Sequence, residues 1–449
     1  MPFFVHVSDI HFGQERGGQV VINNDVKERL VEDAARELRA HNPGPAAGLL
    51  VTGDIAYAGK ANEYQAAGAW LDRLAEAVGC AKTAVHLVPG NHDIDRNEIS
   101  AGVELMLKDI ATNGEGRLDT YLAHPRDRQI MYSRFAAYEP FAEAYNCPLD
   151  GGGGLAGDKP VVLAPGRTLR FIGLNTALIC SKKDRQGQLL LGARQRVLPR
   201  SVGEELIVLA HHPLRWLQDG TDALSFVRQR ARVLITGHEH NPSVDCEAIK
   251  DGCDILTLAA GATVPPVTDD PFTYTYNILE FEWEPETESL IVTVHPRVWV
   301  ESEKDFGPDP VRLGGKGPQF RLGCPNFRAA ASMAEAQPRE KTMAREDRVE
   351  SAPAISKPTP IAGEPAESMA DERLPLLLLR FFRDLSPGQR VRVLVELGAL
   401  PDDWGEPLTH GIERQVVEGL VRTDRLDDLE AAIDRVLQSG AQGGTATNG

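Results

Sequence analysis

Apolar positions along this chain fall into short unbroken runs, each closed by a turn residue and a polar group, and these runs alternate with stretches of helical period. Residues 3–7 form one such run and end in Ser8-Asp9-Ile10-His11. Residues 47–51 end in Thr52-Gly53-Asp54, and residues 84–88 end in Pro89-Gly90-Asn91-His92-Asp93. Between them, residues 24–40 (Val26, Leu30, Ala34, Leu38) and 63–78 (Trp70, Leu71, Leu74, Val78) repeat apolar side chains as amphipathic helices do. A β-α-β-α-β order predicts right-handed parallel crossovers, which gather all three polar turns at the carboxyl ends of neighbouring strands. Asp9 and His11, two apart in a segment read as extended, are expected on one face, as are His238 and His240.

The pattern resumes after a less regular stretch. Residues 95–160 show helical patches at 103–110 and 130–145 and read as an insertion beside or over the strand ends, either a cap that selects substrate or a peripheral helical decoration. A strand over 169–175 and a helix near 193–198 follow. Two apolar strands then open into histidine: 206–210 into His211-His212-Pro213, and 233–236 into Gly237-His238-Glu239-His240. From 255 to 300 the pattern alternates about Glu284-Pro285-Glu286-Thr287, which predicts an antiparallel hairpin. One domain is therefore expected over 1–328. Residues 329–370, rich in Ala, Pro, Glu, Ser and Lys, read as a flexible linker. Residues 371–438 carry helical patterns at 376–384, 387–397, 410–421 and 426–437, and 439–449 read as a disordered tail.

Charge and cysteine content narrow the function classes. The formal net charge of −17 over 449 residues disfavours a broad non-specific hold on nucleic acid or anionic membrane. Six cysteines without CxxC spacing suit a reducing compartment better than a disulfide framework. No signal peptide is read at the start, and a cytoplasmic location is expected. The longest apolar run, 374–379 with Pro375 inside it, is too short for a bilayer, so no membrane partner is expected.

Each polar turn alone is a weak signal. Asp9-x-His11, Gly53-Asp54, Gly90-Asn91-His92-Asp93, His211-x-Pro213 and Gly237-His238-x-His240, in that order and each at a strand end, are together specific. Over residues 1 to about 300 the chain resembles the calcineurin-like metallophosphoesterase superfamily, and in motif form its cyclic-nucleotide phosphodiesterase branch. The resemblance implies a four-layer α/β/β/α sandwich with a small all-α carboxy-terminal domain. It further implies two divalent metal ions (Mn, Fe, Zn or Co) bridged by Asp54, with Asp9, His11 and His240 completing one and Asn91, His211 and His238 the other. A metal-bridged hydroxide would attack a phosphodiester, which is either a cyclic nucleotide or another diester. His92 is implied as the catalytic imidazole and Asp93 as the carboxylate that orients it, with His212 beside the site. His6 and His86 read as packed strand residues and Glu239 as solvated, while Tyr57, Asn62 and Asn175 are candidates to line the pocket. The carboxy-terminal helices resemble death-fold-like effector-associated adaptor modules, which implies a protein partner; the alternative reading is a helical dimerisation or stability module. The alternatives are a metal-dependent nuclease effector, with nucleic acid as the less favoured partner, and a non-catalytic scaffold.

Overall fold

The computed structural model describes residues 1–15, 19–41, 44–248, 254–265, 273–336, 366–400, 404 and 408–443. Its strands are β1 (Phe3–Val7), β2 (Gly48–Val51), β3 (Val85–Leu87), β4 (Asp158–Ala164), β5 (Arg167–Gly173), β6 (Glu204–Ala210), β7 (Ala231–Thr236), β8 (Ser243–Glu247), β9 (Ile255–Ala259), β10 (Thr275–Glu284), β11 (Ser289–Val300), β12 (Asp305–Pro308) and β13 (Gln319–Gly323). One sheet runs β12-β11-β10-β1-β2-β3, with β13 on β11; the other runs β4-β5-β6-β7-β9-β8. The expected crossovers are parallel, β1 to β2 and β2 to β3. The expected hairpin is the antiparallel pair β10–β11, in register from Thr275↔Val298 to Glu284↔Ser289.

Alternation along the strands builds the layers. Phe4 and Leu50 point between the sheets, where they join Phe171, Ile207, Leu209, Val233 and Phe281 in a dry inner core. Their neighbours Val5, Val7, Leu49 and Val51 point outward, into the core shared with α1 (Gln19–His41) and α2 (Ala61–Val78). Both faces of the central strands are therefore apolar, which is why they read as unbroken runs. The result is an α/β fold of two mixed sheets flanked by helices, with further helices at the carboxyl end.

The insertion folds as α3 (Ala101–Asn113), α4 (Glu115–Ala123), α5 (Pro125–Tyr132) and α6 (Tyr138–Ala144). The single helix expected over 130–145 is broken at residues 133–137. Pro140 has no N–H and fits a helix only in its first turn, so α6 restarts just before it. Strand β4 was not anticipated in the tail of this region. Short helices α7 (Ala193–Arg196) and α8 (Gly220–Arg230) follow. Helix α9 (Pro325–Ala336) runs across the expected linker start at 329, anchored by the fully buried Phe327. Most of the expected linker, 337–365, and the end of the expected tail, 444–449, lie outside the described residues.

The carboxy-terminal helices are α10 (Ala366–Leu379), continued by a π turn at Arg380–Asp384, then α11 (Pro387–Glu396), α12 (His410–Arg422) and α13 (Leu426–Gly443). They pack onto α2 and α6. Arg383 clamps Asp72 of α2 through Nη1 at 2.7 Å and Nη2 at 3.1 Å, and also reaches the Tyr145 hydroxyl at 3.2 Å. His410 lies 3.4 Å from Glu143 of α6. Burial opposes charge on His410, but Glu143, Glu413 and Glu139 outweigh it and hold its pKa up to about 9. Burial pushes Glu139 up to about 7, with His410 opposing.

Arg383→Ala should weaken this seam by about 2 kcal/mol, the worth of a charge-assisted hydrogen-bond pair, and speed proteolysis between 366 and 443. Alkali should act in the same direction. The packed state favours protonated Glu139, an advantage lost as pH rises from about 4.5 through about 7. It also favours charged His410, a contribution complete below about 6.5 and lost as pH climbs through about 9. Hydrogen exchange of α12 should therefore quicken between pH 5 and pH 9, after correction for the intrinsic exchange rate, and a flat profile would contradict it.

Candidate metal centre

The strand-end turns meet at one edge of the two sheets. Asp9, His11, Asp54 and His238 all adopt left-handed backbone, with φ of 53°, 53°, 51° and 66°. Non-glycine residues rarely sit there, and strain of this kind persists where surrounding structure over-determines it. The extended geometry expected for Asp9-x-His11 is thus replaced by a tight turn, pinned where the Ile10 and His11 amides both donate to the Asp54 carbonyl at 2.9 and 3.0 Å. Close approach also explains the glycines. A Cβ on Gly90 would lie 2.1 Å from Asp54 Oδ1, one on Gly53 2.6 Å from His211 Nδ1, and one on Gly237 2.2 Å from Ser8 Oγ.

Asp54 stands at the middle, buried. Its Oδ2 lies 3.3 Å from Nε2 of His11 and 3.3 Å from Nε2 of His211, while Oδ1 accepts the His92 amide at 2.7 Å. His11 Nδ1 faces the Val264 carbonyl at 3.1 Å and His211 Nδ1 the Thr52 carbonyl at 2.8 Å. A carbonyl only accepts, so each Nδ1 carries the ring proton, and in the neutral tautomer each Nε2 turns a lone pair toward a carboxylate oxygen. His211 Nε2 also faces Asn91 Oδ1 at 3.2 Å. Asp9 repeats the theme. Its Oδ2 accepts Ser8 Oγ at 2.5 Å and the His238 amide at 3.2 Å, whereas Oδ1, buried and without a hydrogen bond, faces His240 Nε2 at 3.4 Å.

So many acceptors around one point call for positive charge. As protein alone, the cluster draws it from protons: burial opposes the shift, but Asp54 holds His11 above its usual value and raises His211 to about 9. Burial would raise Asp9 and Asp54 in turn, yet the neighbouring histidines hold both below the ordinary carboxylate range. Burial, then the His211 charge, lowers His238 to about 4. The donor set of imidazole and carboxylate suits a divalent transition metal. Among the described residues, four groups place one ligand atom each within 4.8 Å of one another: Asp9-His11-His240, Asp9-Asp54-His211, His11-Asp54-His92 and His211-His212-His238.

The structure brings together all seven residues expected as ligands, with His92 beside them. Asp93 departs from its expected role. Its carboxylate does not meet the His92 ring; it accepts the amides of Ala56 (2.9 Å), Ile55 (3.2 Å) and Gly90 (2.9 Å), and the Tyr64 hydroxyl at 3.1 Å. It is a buried staple between two turns, with its pKa pushed up to about 6 by burial and then by Asp54. The Tyr57 carbonyl orients His92 instead, 2.7 Å from Nδ1, and the Tyr57 ring stacks on it at 5.2 Å. His212 is fully buried against Thr176 and Cys180, with a ring nitrogen within 4.8 Å of ligand atoms of His211 and His238. Glu239, expected to be solvated, pairs with Arg215 and accepts Trp216 Nε1 at 3.1 Å. His6 and His86 are packed as expected, His6 on Thr52 and His86 on Phe171. Asn175 is buried and caps its own loop through Ala177, and Asn62 is exposed on α2. Ser8, Tyr64 and Trp216, whose ring lies 4.2 Å from that of His238, escaped the sequence reading. Only the Ser8-Asp9 adjacency could have signalled any of them.

Two facing sheets with a buried Asp/His/Asn cluster where their strands end define an α/β protein built around a candidate metal centre. The chain belongs to the calcineurin-like phosphoesterase family, whose family model matches residues 4–242. Residues 373–435 match the GTPase-associated adaptor domain. The uncharacterized metallophosphoesterase-like protein YydB of Bacillus subtilis (strain 168) is 24% identical over 282 residues, covering 58% of this chain and 53% of that protein. The chain thus spans about half the length of that curated relative. Solved structures that resemble it include purple acid phosphatase PPD1 from yellow lupin (10% identity, 73% of this chain and 55% of that one, TM-score 0.37) and the NAD nucleotidase of Haemophilus influenzae (12%, 75% and 60%, TM-score 0.33). Superpositions this loose carry no weight for this chain's chemistry. Among the described residues no helix is long and apolar enough to cross a membrane.

Gly90→Ala should cost about 1–3 kcal/mol in a thermal or urea melt, because the added methyl must displace the Asp54 carboxylate, and should deplete bound metal. Gly116→Ala, where nothing lies within 4 Å, is the control and should melt at or slightly above the parent, because Ala favours the helix α4 over Gly. Equal behaviour of the two variants would contradict the close-approach account.

Proposed function

We propose that the chain is a phosphodiesterase-type hydrolase whose residues would hold two divalent cations, Asp54 serving both, with Asp9, His11 and His240 for one and Asn91, His211 and His238 for the other. The observation that carries this reading is the pair of imidazole Nε2 atoms, each 3.3 Å from the same Asp54 oxygen with its own Nδ1 committed to a carbonyl. Family membership supports it, as does Asp9 Oδ1, which makes no hydrogen bond and meets the His240 imidazole at 3.4 Å. When bound, such a pair of cations supplies an acidified water and a clamp on the phosphoryl group.

The chain's own residues supply the rest. With Nδ1 of His92 donating to the Tyr57 carbonyl, Nε2 is the free nitrogen, and it can donate to a phosphoryl oxygen or protonate the departing alkoxide only from the imidazolium form, which burial disfavours and nearby Asp54 favours. His92 is only partly buried, so a substrate can reach it. Asp93 acts as a positioning residue, tying the Gly90 and Ile55 turns into one body, and Tyr64 braces it from α2. The adaptor helices bring the enzyme to a protein partner.

With bis-p-nitrophenyl phosphate and manganese, Asp54→Ala should lose both metal and activity, by roughly 1000-fold or more. His92→Ala should keep its metal, measured by elemental analysis, while kcat falls roughly 100- to 10,000-fold. Undiminished turnover in Asp54→Ala would sink the dinuclear reading, and metal loss in His92→Ala would show that this imidazole is a ligand.

A further inference from the structure

A cavity of about 540 Å³ opens between α3 and the loop carrying residues 179–189, a size suited to a nucleotide-sized ligand. Its wall carries Lys108, Lys182, Lys183 and Arg185 against two acids, Glu104 and Asp184. None of the four cations has an ion pair among the described residues. Asp184 is turned inward, where its Oδ1 accepts the Ser181 amide at 2.7 Å and the Ser181 hydroxyl at 3.1 Å. In a chain of net charge −17, four uncommitted cations on one wall are a local reversal of sign.

The cavity shares two segments with the metal centre. Ser181, on its wall, follows Cys180, whose sulfur lies 3.9 Å from His212 Nε2. Ile99, also on its wall, caps the 3-10 turn Arg96–Glu98, which follows the Asn91-His92-Asp93 segment in the chain. Arg96 donates through Nη2 to the Asn91 carbonyl at 3.4 Å, and its Nε is buried without a hydrogen-bond partner. Asp184 Oδ2 is likewise buried and unpartnered. The free Arg96 donor is an unmet hydrogen bond that a phosphate oxygen can accept, whereas the Asp184 carboxyl, its pKa raised by burial, tolerates an anion beside it only when protonated.

We infer that this cavity binds a second phosphate of the substrate, held by Lys108, Lys182, Lys183 and Arg185, with Arg96 between it and the scissile group. The inference rests on the proposed hydrolytic reading of the centre. It names the substrate as one with at least two phosphates, supplied either by a small nucleotide or by a nucleic-acid strand, and sets aside a cyclic mononucleotide as the best substrate.

The test uses the full chain with manganese and three substrates: bis-p-nitrophenyl phosphate, 5′-phosphorylated thymidine dinucleotide and a single-stranded thymidine oligonucleotide. In Lys182→Glu/Lys183→Glu, KM for the phosphorylated substrates relative to that for bis-p-nitrophenyl phosphate should rise about tenfold or more, and Lys182→Arg/Lys183→Arg should restore it. A rise for both substrates identifies a small nucleotide, and a rise for the oligonucleotide alone identifies a strand. An unchanged ratio overturns the inference. If wild type hydrolyses none of the three, the hydrolytic reading has failed separately. Equilibrium binding of the fluorescent oligonucleotide and dinucleotide then decides the cavity: weaker binding by the charge-reversed variant supports the site, and equal binding overturns it.

Discussion

A buried carboxylate cannot stand alone in a protein interior, and Asp54 is the group around which this structure is arranged. It lies at the carboxyl end of a central parallel strand, shut off from water, with His11, His211 and the His92 amide converging on its two oxygens. Every element near it serves either to bring those partners within reach or to hold them. The strand ends deliver them because parallel crossovers stack all the turns at one edge of the sheets. The turns reach inward far enough only because four of their residues accept left-handed backbone and three of their neighbours lack a Cβ. Burial penalises each charge, and paired burial with opposite charge recovers the loss, so the cluster is stable as a unit and not residue by residue.

The supports of that cluster reach well beyond it. Asp93 holds two turns through three backbone amides and is itself held by Tyr64 on α2. Eight residues further along the same helix, Asp72 receives Arg383 from the carboxy-terminal helices. One helix therefore carries both the brace of the candidate centre and the seat of the adaptor. The adaptor is packed against the phosphoesterase body, joined to it by a side-chain clamp as well as by the chain between them.

The central strands and the seven convergent polar residues were legible because each rests on a local rule. A strand buried on both faces writes a continuous apolar run, and a turn that must approach closely writes Gly before its functional residue. Strands β4, β8, β12 and β13 follow no such rule. They lie at or near sheet edges, half exposed, with mixed composition such as Ser-Val-Asp-Cys-Glu in β8, and their pairing is decided by what lies alongside. The role of Asp93 was misread for a related reason. Adjacency in sequence suggested His92 as its partner, but successive residues of a tight turn point apart, so the carboxylate went to backbone amides and a carbonyl 35 residues away took the imidazole. Tyr64 and Trp216 carried no signal at all, since an aromatic at helical spacing or in a loop reads as core.

Net charge was the other weak guide, for a physical reason. At physiological ionic strength a charge is screened beyond about 8 Å, so a total of −17 spread over the surface sets long-range repulsion and solubility but says little about the potential inside one cleft. Along the cavity wall Lys108, Lys182, Lys183 and Arg185 are solvent-exposed, and the nearest charges dominate there because the distances are short. Overall acidity can even sharpen selection: it turns away long polyanions everywhere except where local cations outweigh it. The composition that argued against a general grip on phosphate is thus compatible with a specific one, placed beside the centre that would cut it.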